Sequence, residues 1–583
     1  DYGGIGGLKT VSVRNMGTAH TAVSYDGVVV SNCQAGQIDI GRFSLDNVSV
    51  LSLNIGQPED LLQSARMYAS AGVLSIETEK PHFENERNSA FRVQMRGGSF
   101  GYVSPSIRWW QKAGSRTSFS LNGNYMRADG NYPFTLVNGK YVTEEKRNNS
   151  AIYTYQIEPT LFHTFKDSSN LELKAYYFYS KRGLPGSVTL YNPISDETLW
   201  DENVFIQTRY KKDFSQKWSL QAQAKYNHGW NKYEDKGNEY ADGLYRAVHR
   251  QDEYYLSATA LYRPWNVLSL SLAQDGIINK LRSNLPDCPF PIRYTSLTAF
   301  NARYRQGRIT ATGSLVYTNV TEHVKIGDAP ADFQRLAPSF TVSLQPWQEQ
   351  LLFLRLMYKS TFRMPTFNDL YYYRLGNRSL RPEKANEYNM GITWSRSFSS
   401  FLNYLSVTVD GYYNDVTDKI VAFPTTYAWK MANYGKVHVT GMDATLAAAA
   451  SLGKNMVLVV SGGYTRQKAI DLTDATSKSY KDQLPYTPKH SGNVSAVLEM
   501  PWVNVGYSIV GVSERYSMSQ NIPENRIDGY MEHTVSLSRN FSFRHCKLRL
   551  QAEIINLTDT QYDVIKYYPM PGRSWRLTGT IEF

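Results

Sequence analysis

Apolar and polar residues alternate one by one along this chain, in runs that recur from Phe91 to the final Phe583. Trp575, Leu577, Gly579, Ile581 and Phe583 alternate with Ser574, Arg576, Thr578, Thr580 and Glu582. Successive side chains of a strand point to opposite faces, so this segment carries one greasy and one polar face. Cys546, Leu548, Leu550, Ala552 and Ile554 repeat the pattern against Lys547, Arg549, Gln551 and Glu553, as do 119–125, 171–179, 218–226, 254–262 and 405–413. The polar faces carry repeated charge, a poor surface for packing into a soluble sandwich, which is the competing architecture. No apolar run approaches the ~18 residues that a membrane-spanning helix needs.

The connections add a second regularity. Short polar turns join some runs, as at Lys166 to Ser169, and Pro-Trp recurs at Pro264-Trp265, Pro346-Trp347 and Pro501-Trp502. Other connections are long and rich in Asn, Asp, Gly and Tyr: 127–149, 181–203 and 228–250 read as loops. Short turns at one end, long loops at the other and aromatic residues near strand ends describe an outer-membrane barrel.

The first ~80 residues read differently under the same test. They are glycine-rich, with short Val/Leu strands at 28–30, 48–53 and 73–76. We therefore divide the chain into a small α/β domain, residues 1–82, and a barrel, residues 83–583. At ~10 residues per strand plus connections, the second part is long enough for an antiparallel barrel of about 22 strands, wide enough to need a plug in its lumen. The expected fold is an all-β membrane protein with an α/β N-terminal plug.

Composition excludes several other functions. The 63 basic and 52 acidic residues give a net charge of +11, but the positive residues are dispersed, without the stripe that nucleic acid demands. Three scattered cysteines, Cys33, Cys288 and Cys546, form neither a disulfide framework nor a thiolate zinc site. The ten histidines fall singly, without a His-Glu-x-x-His or Ser/His/Asp pattern, so no enzyme is expected.

In order along the chain stand Arg14, His20, Asp26-Gly27 and Asp39; the segment Ala69 to Ile76; Gly97 to Gly101; the box Phe362 to Tyr371; Leu380 to Glu383; Asn433 to Gly435 with Gly441; Asn556 to Asp559 with Tyr562; and Pro571-Gly572-Arg573 before Phe583. This succession resembles the TonB-dependent outer-membrane transporters over essentially the whole chain. Segments 14–27 and 556–583 are most similar to the cobalamin receptors of that family. Ala71-Gly72 stands where the family usually has Gly-Gly, and the TonB box and first plug strand are not represented in these residues.

The resemblance implies residence in the outer membrane of a Gram-negative bacterium, contact with lipid and lipopolysaccharide, and partnership with TonB and its inner-membrane energising complex. It implies active import of a large scarce solute: cobalamin or another corrinoid first, a ferric siderophore second, haem third. A passive porin-like channel and a surface adhesin are the rival classes. Haem receptors of the family carry an axial histidine between the Phe-Arg-x-Pro and Leu-x-Pro-Glu boxes, where this chain has Tyr371, Tyr372 and Tyr373. By the same resemblance the ligand meets the plug apex at Asn15, Thr18 and His20 and at Asn32, Gln34 and Gln37, with Tyr371 and Tyr372 above. His20 is expected as a hydrogen-bonding contact and not a cobalt ligand. No covalently bound cofactor is expected; calcium in the outer loops stays open, the candidate carboxylates being Asp196, Glu197, Asp201, Glu202, Asp235, Glu239 and Asp242. The Tyr-rich stretches 181–203 and 228–250 are the expected face for a surface lipoprotein.

Overall fold

The computed structural model describes residues 4–58, 60–83, 87–138, 140–188, 195–237, 240, 242–373, 375–399, 401–424 and 429–583. The alternating runs form a closed antiparallel barrel of 22 strands. Closure comes where the last strand, Ser574–Glu582, pairs with the first, Ser89–Gly98, setting Ile581 opposite Val93 and Gly579 opposite Met95. Period 2 then sorts the side chains by solvent. Leu550, Ile554, Trp575, Leu577 and Ile581 are exposed on the outside, where lipid replaces water, while Glu158, Lys174, Gln207 and Asp275 are buried in the lumen.

The two ends differ. Turns such as 266–267, 307–308 and 454–455 join strands at one end, and connections such as 364–382, 472–489 and 556–573 at the other. Trp265, Trp347 and Trp502 sit exposed at the short-turn end, and tyrosine pairs ring the strands at the far edge of the apolar band, Tyr226 with Tyr254 at 5.1 Å and Tyr358 with Tyr388 at 5.2 Å. Amphipathic rings at both edges of an apolar band fit the two membrane–water interfaces. The short-turn end is accordingly periplasmic.

Inside the barrel lies a mixed four-stranded sheet, β1 (Thr21–Tyr25), β2 (Val28–Val30), β3 (Val48–Ile55) and β4 (Gly72–Thr78), in the order β2-β1-β4-β3, with a short helix α1 (Ala65–Ala69). Asp26-Gly27 turns β1 into β2, with φ of 50° and 81°; both central residues of such a two-residue hairpin need positive φ, which Asp tolerates and Gly adopts freely. The sheet packs on the barrel wall through apolar patches. Val23, Tyr25, Val30, Phe43 and Ile76 meet Tyr176, Phe178 and Phe205, and Val28, Ala65 and Tyr68 meet Tyr255, Ile277 and Leu297.

Two expectations about the loops need correction. The stretches 181–203 and 228–250 are largely strand: Asn170–Leu184, Glu197–Asp213, Trp218–Lys236 and Leu244–Trp265 run far beyond the lipid-facing alternation. Above the membrane both faces of a strand meet water or polar neighbours, so period 2 fades while cross-strand contacts persist. Lys232 Nζ sits 3.7 Å from the centre of the Trp200 ring, and Arg246 Nε donates to Glu234 Oε1 at 2.8 Å. The stretch 127–149 likewise contains a hairpin, Pro133–Asn138 paired with Tyr141–Lys146. Parts of the proposed lipoprotein face (189–194, 238, 239, 241), together with Arg374, lie outside the described residues.

Candidate functional site

A cavity of about 650 Å³ opens at the long-loop end, between the plug and the upper strands. The plug contributes Asn32, Gln34, Gln37, Asp39 and Arg42, and the barrel Arg182, Asp201, Trp230, Asn231 and His249, with Tyr372 above.

The plug loop beneath it is shaped by its own polar groups. Asn32 Oδ1 accepts from the amides of Gln34 at 3.1 Å and Ala35 at 3.0 Å, and the Gly36 amide donates to the Asn32 carbonyl at 2.9 Å. Asn32 thus caps a turn as well as lining the cavity. Above it a helix α2 (Phe367–Tyr371) starts with a capping box between Thr366 and Asp369, and its first amides reach down to the plug: Phe367 N donates to Cys33 O at 3.1 Å and Asn368 N to Gln34 O at 2.9 Å. Gly36 has φ of 72°, and a Cβ there would collide with the Thr366 methyl, so only glycine fits this approach. The Phe362 to Tyr371 box is in this way the clasp of the loop Asn32 to Gln37.

The structure brings Asn32, Gln34, Gln37 and Tyr372 together around the cavity and places the other sequence-derived residues elsewhere. His20 is 4% exposed, and its Nε2 pairs with Glu383 Oε1 at 2.9 Å, between plug and wall. Asn15 Nδ2 donates to Thr487 Oγ1 at 2.7 Å, beside Arg14, whose Nε donates to Asp443 Oδ2 at 3.0 Å. Thr18 lies in the short 3-10 turn leading to His20. These residues fasten the plug to the wall in this conformation. The Tyr371 hydroxyl donates to Glu322 and is absent from the cavity lining. Of the carboxylates considered for calcium, Glu197, Asp201 and Glu202 are on a strand, with Glu197 accepting from Tyr233 and Asp201 from Arg182. Glu239 lies outside the described residues, among which no cluster of three His, Cys, Asp or Glu is placed to hold a metal.

Sequence reasoning missed the cavity's two arginines and its buried histidine. Arg182 donates to Gly6 O and Asp201, and its Nε has no hydrogen-bond partner among the described residues. His249 is 7% exposed, and its Nδ1 likewise has none. Arg42 stacks on Phe43, and its Nε and Nη2 are shielded from solvent without a hydrogen-bond partner among the described residues. Burial pushes the Arg42 guanidinium below its ordinary pKa, against the pull of Tyr176, Asp39 and Asp201. Unmet donors around an outward cavity suit a solute rich in acceptor oxygens.

Under the cavity the plug is seated by buried charge. Lys174 Nζ bonds Asp26 Oδ2 at 2.5 Å and Glu158 Oε1 at 2.7 Å; Tyr25 and Asn47 also donate to Glu158, and the Thr78 amide and hydroxyl to Asp26. Lys225 reaches Val29 O at 2.6 Å, and Lys359 reaches Gly56 O and Ser70 O at 2.6 Å each. Burial alone would raise the Asp26 carboxyl, but Lys174 and Thr78 overcome it and hold the group below the usual range. A depressed carboxyl pKa stabilises the seated plug fully above the unfolded value of about 4, and this contribution drains away as pH falls through the lower folded value. The plug should therefore resist pepsin in detergent down to about pH 4 and lose resistance below it. Asp26→Asn should remove that acid step; an unchanged step would assign it to other carboxylates.

Residues 107–557 match the family model described as TonB dependent receptor-like, beta-barrel. Among curated proteins, the vitamin B12 transporter BtuB of Photobacterium profundum is 26% identical over 230 residues, 38% of this chain and 34% of that protein. BtuB of Vibrio vulnificus is 26% identical over 231 residues, 38% and 33% of the two chains. The matched part thus spans about a third of the length of these relatives. Solved structures share the whole fold: the copper transporter OprC at a TM-score of 0.80 and 15% identity, covering 100% of this chain and 93% of that one, and the FrpB iron transporter from Neisseria meningitidis at 0.77 and 15%, covering 100% and 95%.

Proposed function

This chain belongs to the TonB-dependent receptor family, whose members reside in the outer membrane of Gram-negative bacteria and are transporters and receptors rather than enzymes, and we propose that it imports a large, scarce, acceptor-rich solute by energised movement of its plug. The observation that carries this reading is the stacking of an outward cavity directly on a plug seated by buried ion pairs and hydrogen bonds beside its apolar contacts. Apolar packing alone resists sliding without a replacement partner, whereas hydrogen bonds and ion pairs can be exchanged for water as the plug is pulled. A passive channel has no use for such a seat.

Cobalamin or another corrinoid is the leading solute, supported by the partial match to vitamin B12 transporters and by amide-rich Asn32, Gln34, Gln37 and Asn231 around the cavity. Purified receptor exposed separately to cyanocobalamin, a ferric siderophore and haem is expected to retain the corrinoid spectrum. Cells lacking their own corrinoid receptor should gain uptake only when TonB is present. Retention of siderophore or haem without corrinoid would replace the substrate, and equal uptake without TonB would overturn the active mechanism.

A further inference from the structure

The outer cavity is not the last polar space in the barrel. A second cavity of about 430 Å³ lies between the plug and the wall formed by Ser89–Gly98, Tyr102–Lys112, Lys547–Ile555 and Ser574–Glu582, on either side of barrel closure. Arg42 and Phe178 line both cavities, so the two adjoin at the Arg42 side chain.

The charge in the inner cavity is unequal. Lys9, Arg42, Arg92, Arg96, Arg549 and Arg576 face Asp46 and Glu553. Asp46 is taken by Arg96, Glu553 by Arg576 at 3.7 Å, and Arg92 pairs with Glu79 at 3.4 Å and Glu582 at 3.3 Å. Two guanidiniums remain without a carboxylate partner among the described residues. Arg549 has one hydrogen bond, to the neutral Gln551 Oε1 at 3.3 Å, and Arg42 has the two shielded nitrogens described above. Arg549 is open to the water of the cavity, and Arg42 keeps Nε and Nη2 unmet with Asp39 and Asp201 attracting it from outside ion-pair distance, so the cavity offers a surplus of positive charge to an anionic group that enters it.

We propose that this inner cavity is a transit site for an oxyanion group of the imported solute, a carboxylate or a phosphate, handed from the outer cavity by Arg42 and received by Arg549. The proposal rests on the import reading and adds a chemical requirement to it: the solute carries at least one anionic oxygen cluster. It also places the route of passage along the wall at barrel closure, on the side away from the His20–Glu383 and Arg14–Asp443 fastenings. Arg549 touches no plug residue through a hydrogen bond or ion pair among the described residues, so its replacement leaves the plug seat intact.

Tungstate, a tetrahedral oxyanion, is the probe. Titration into the purified receptor should show binding that falls at least tenfold in Arg549→Gln and in Arg42→Gln and is kept in Arg549→Lys. In the same Arg549→Gln protein, corrinoid affinity at the outer cavity should stay within twofold while TonB-driven uptake falls at least fivefold. Tungstate binding that ignores both glutamine substitutions, or no binding at millimolar concentration, would overturn the transit site. TonB-independent uptake by the unaltered protein would overturn the import reading while leaving the tungstate result standing, so the two failures are distinguishable.

Discussion

Lys174→Met is expected to unseat the plug without unfolding the barrel. Lys174 is 1% exposed and bridges Asp26 of the plug to Glu158 of the wall, so its loss leaves two buried carboxylates facing each other with no cation between them. Removing one partner of a buried ionic group typically costs about 3–5 kcal/mol, because the remaining charge stays desolvated. For a plug of this size that corresponds to a fall of roughly 2–3 M in its urea midpoint, read from tryptic release of residues 4–80 while the barrel remains heat-modifiable on a gel. In planar bilayers the variant should pass a steady ion current that the unaltered protein blocks. Adding Asp26→Asn and Glu158→Gln neutralises the stranded charges and should recover most of the midpoint. An unchanged midpoint together with a silent bilayer would show that apolar packing, not this ion triad, seats the plug.

The barrel was legible because lipid imposes a strict rule on it. Trp575, Leu577 and Ile581 must be apolar since they face hydrocarbon, and Arg576, Thr578 and Thr580 are polar since they face a wet lumen, so the pattern survives in one dimension. The rule ends where the membrane ends. Residues 229–236 and 244–250 continue as strand with Trp230, Lys232 and Glu234 on one face and Asn231, Tyr233 and Asp235 on the other, and nothing in their order separates them from a loop. β1 was missed for the opposite reason: Val23, Ser24 and Tyr25 are buried on both faces, which removes alternation altogether. The loop Asn32 to Gln37 and Tyr372 were placed by resemblance, and Asn32, Gln34, Gln37 and Tyr372 do line the outer cavity. Lys174, Arg42 and Arg549 carry no local mark. Asp26 lies 148 positions from Lys174, and the cavity that Arg42 and Arg549 share is lined by residues from Lys9 to Thr580, so in sequence the buried lysine and the two cavity arginines read like any surface lysine or arginine.

A covalent link across one fastening should separate binding from passage. Asn15 Nδ2 and Thr487 Oγ1 are 2.7 Å apart, one on the plug and one on an outer connection, and neither lines the outer cavity. In a chain with Cys546→Ser, Asn15→Cys with Thr487→Cys is expected to form a disulfide on oxidation. Native Cys33 should stay out of the exchange, because burial, with Glu253 nearby, pushes its thiol up to about 12 and leaves almost no thiolate at neutral pH. If import requires the plug to move against this wall, the oxidised protein should bind corrinoid with unchanged affinity and lose at least nine-tenths of its uptake, and reduction should restore it. The pull would have to break a covalent bond where it otherwise exchanges a hydrogen bond for water, worth only about 0.5–1.5 kcal/mol. Full uptake by the oxidised form would mean that the solute passes with this side of the plug fixed, confining the moving part to the opposite wall, where Arg42 and the inner cavity lie.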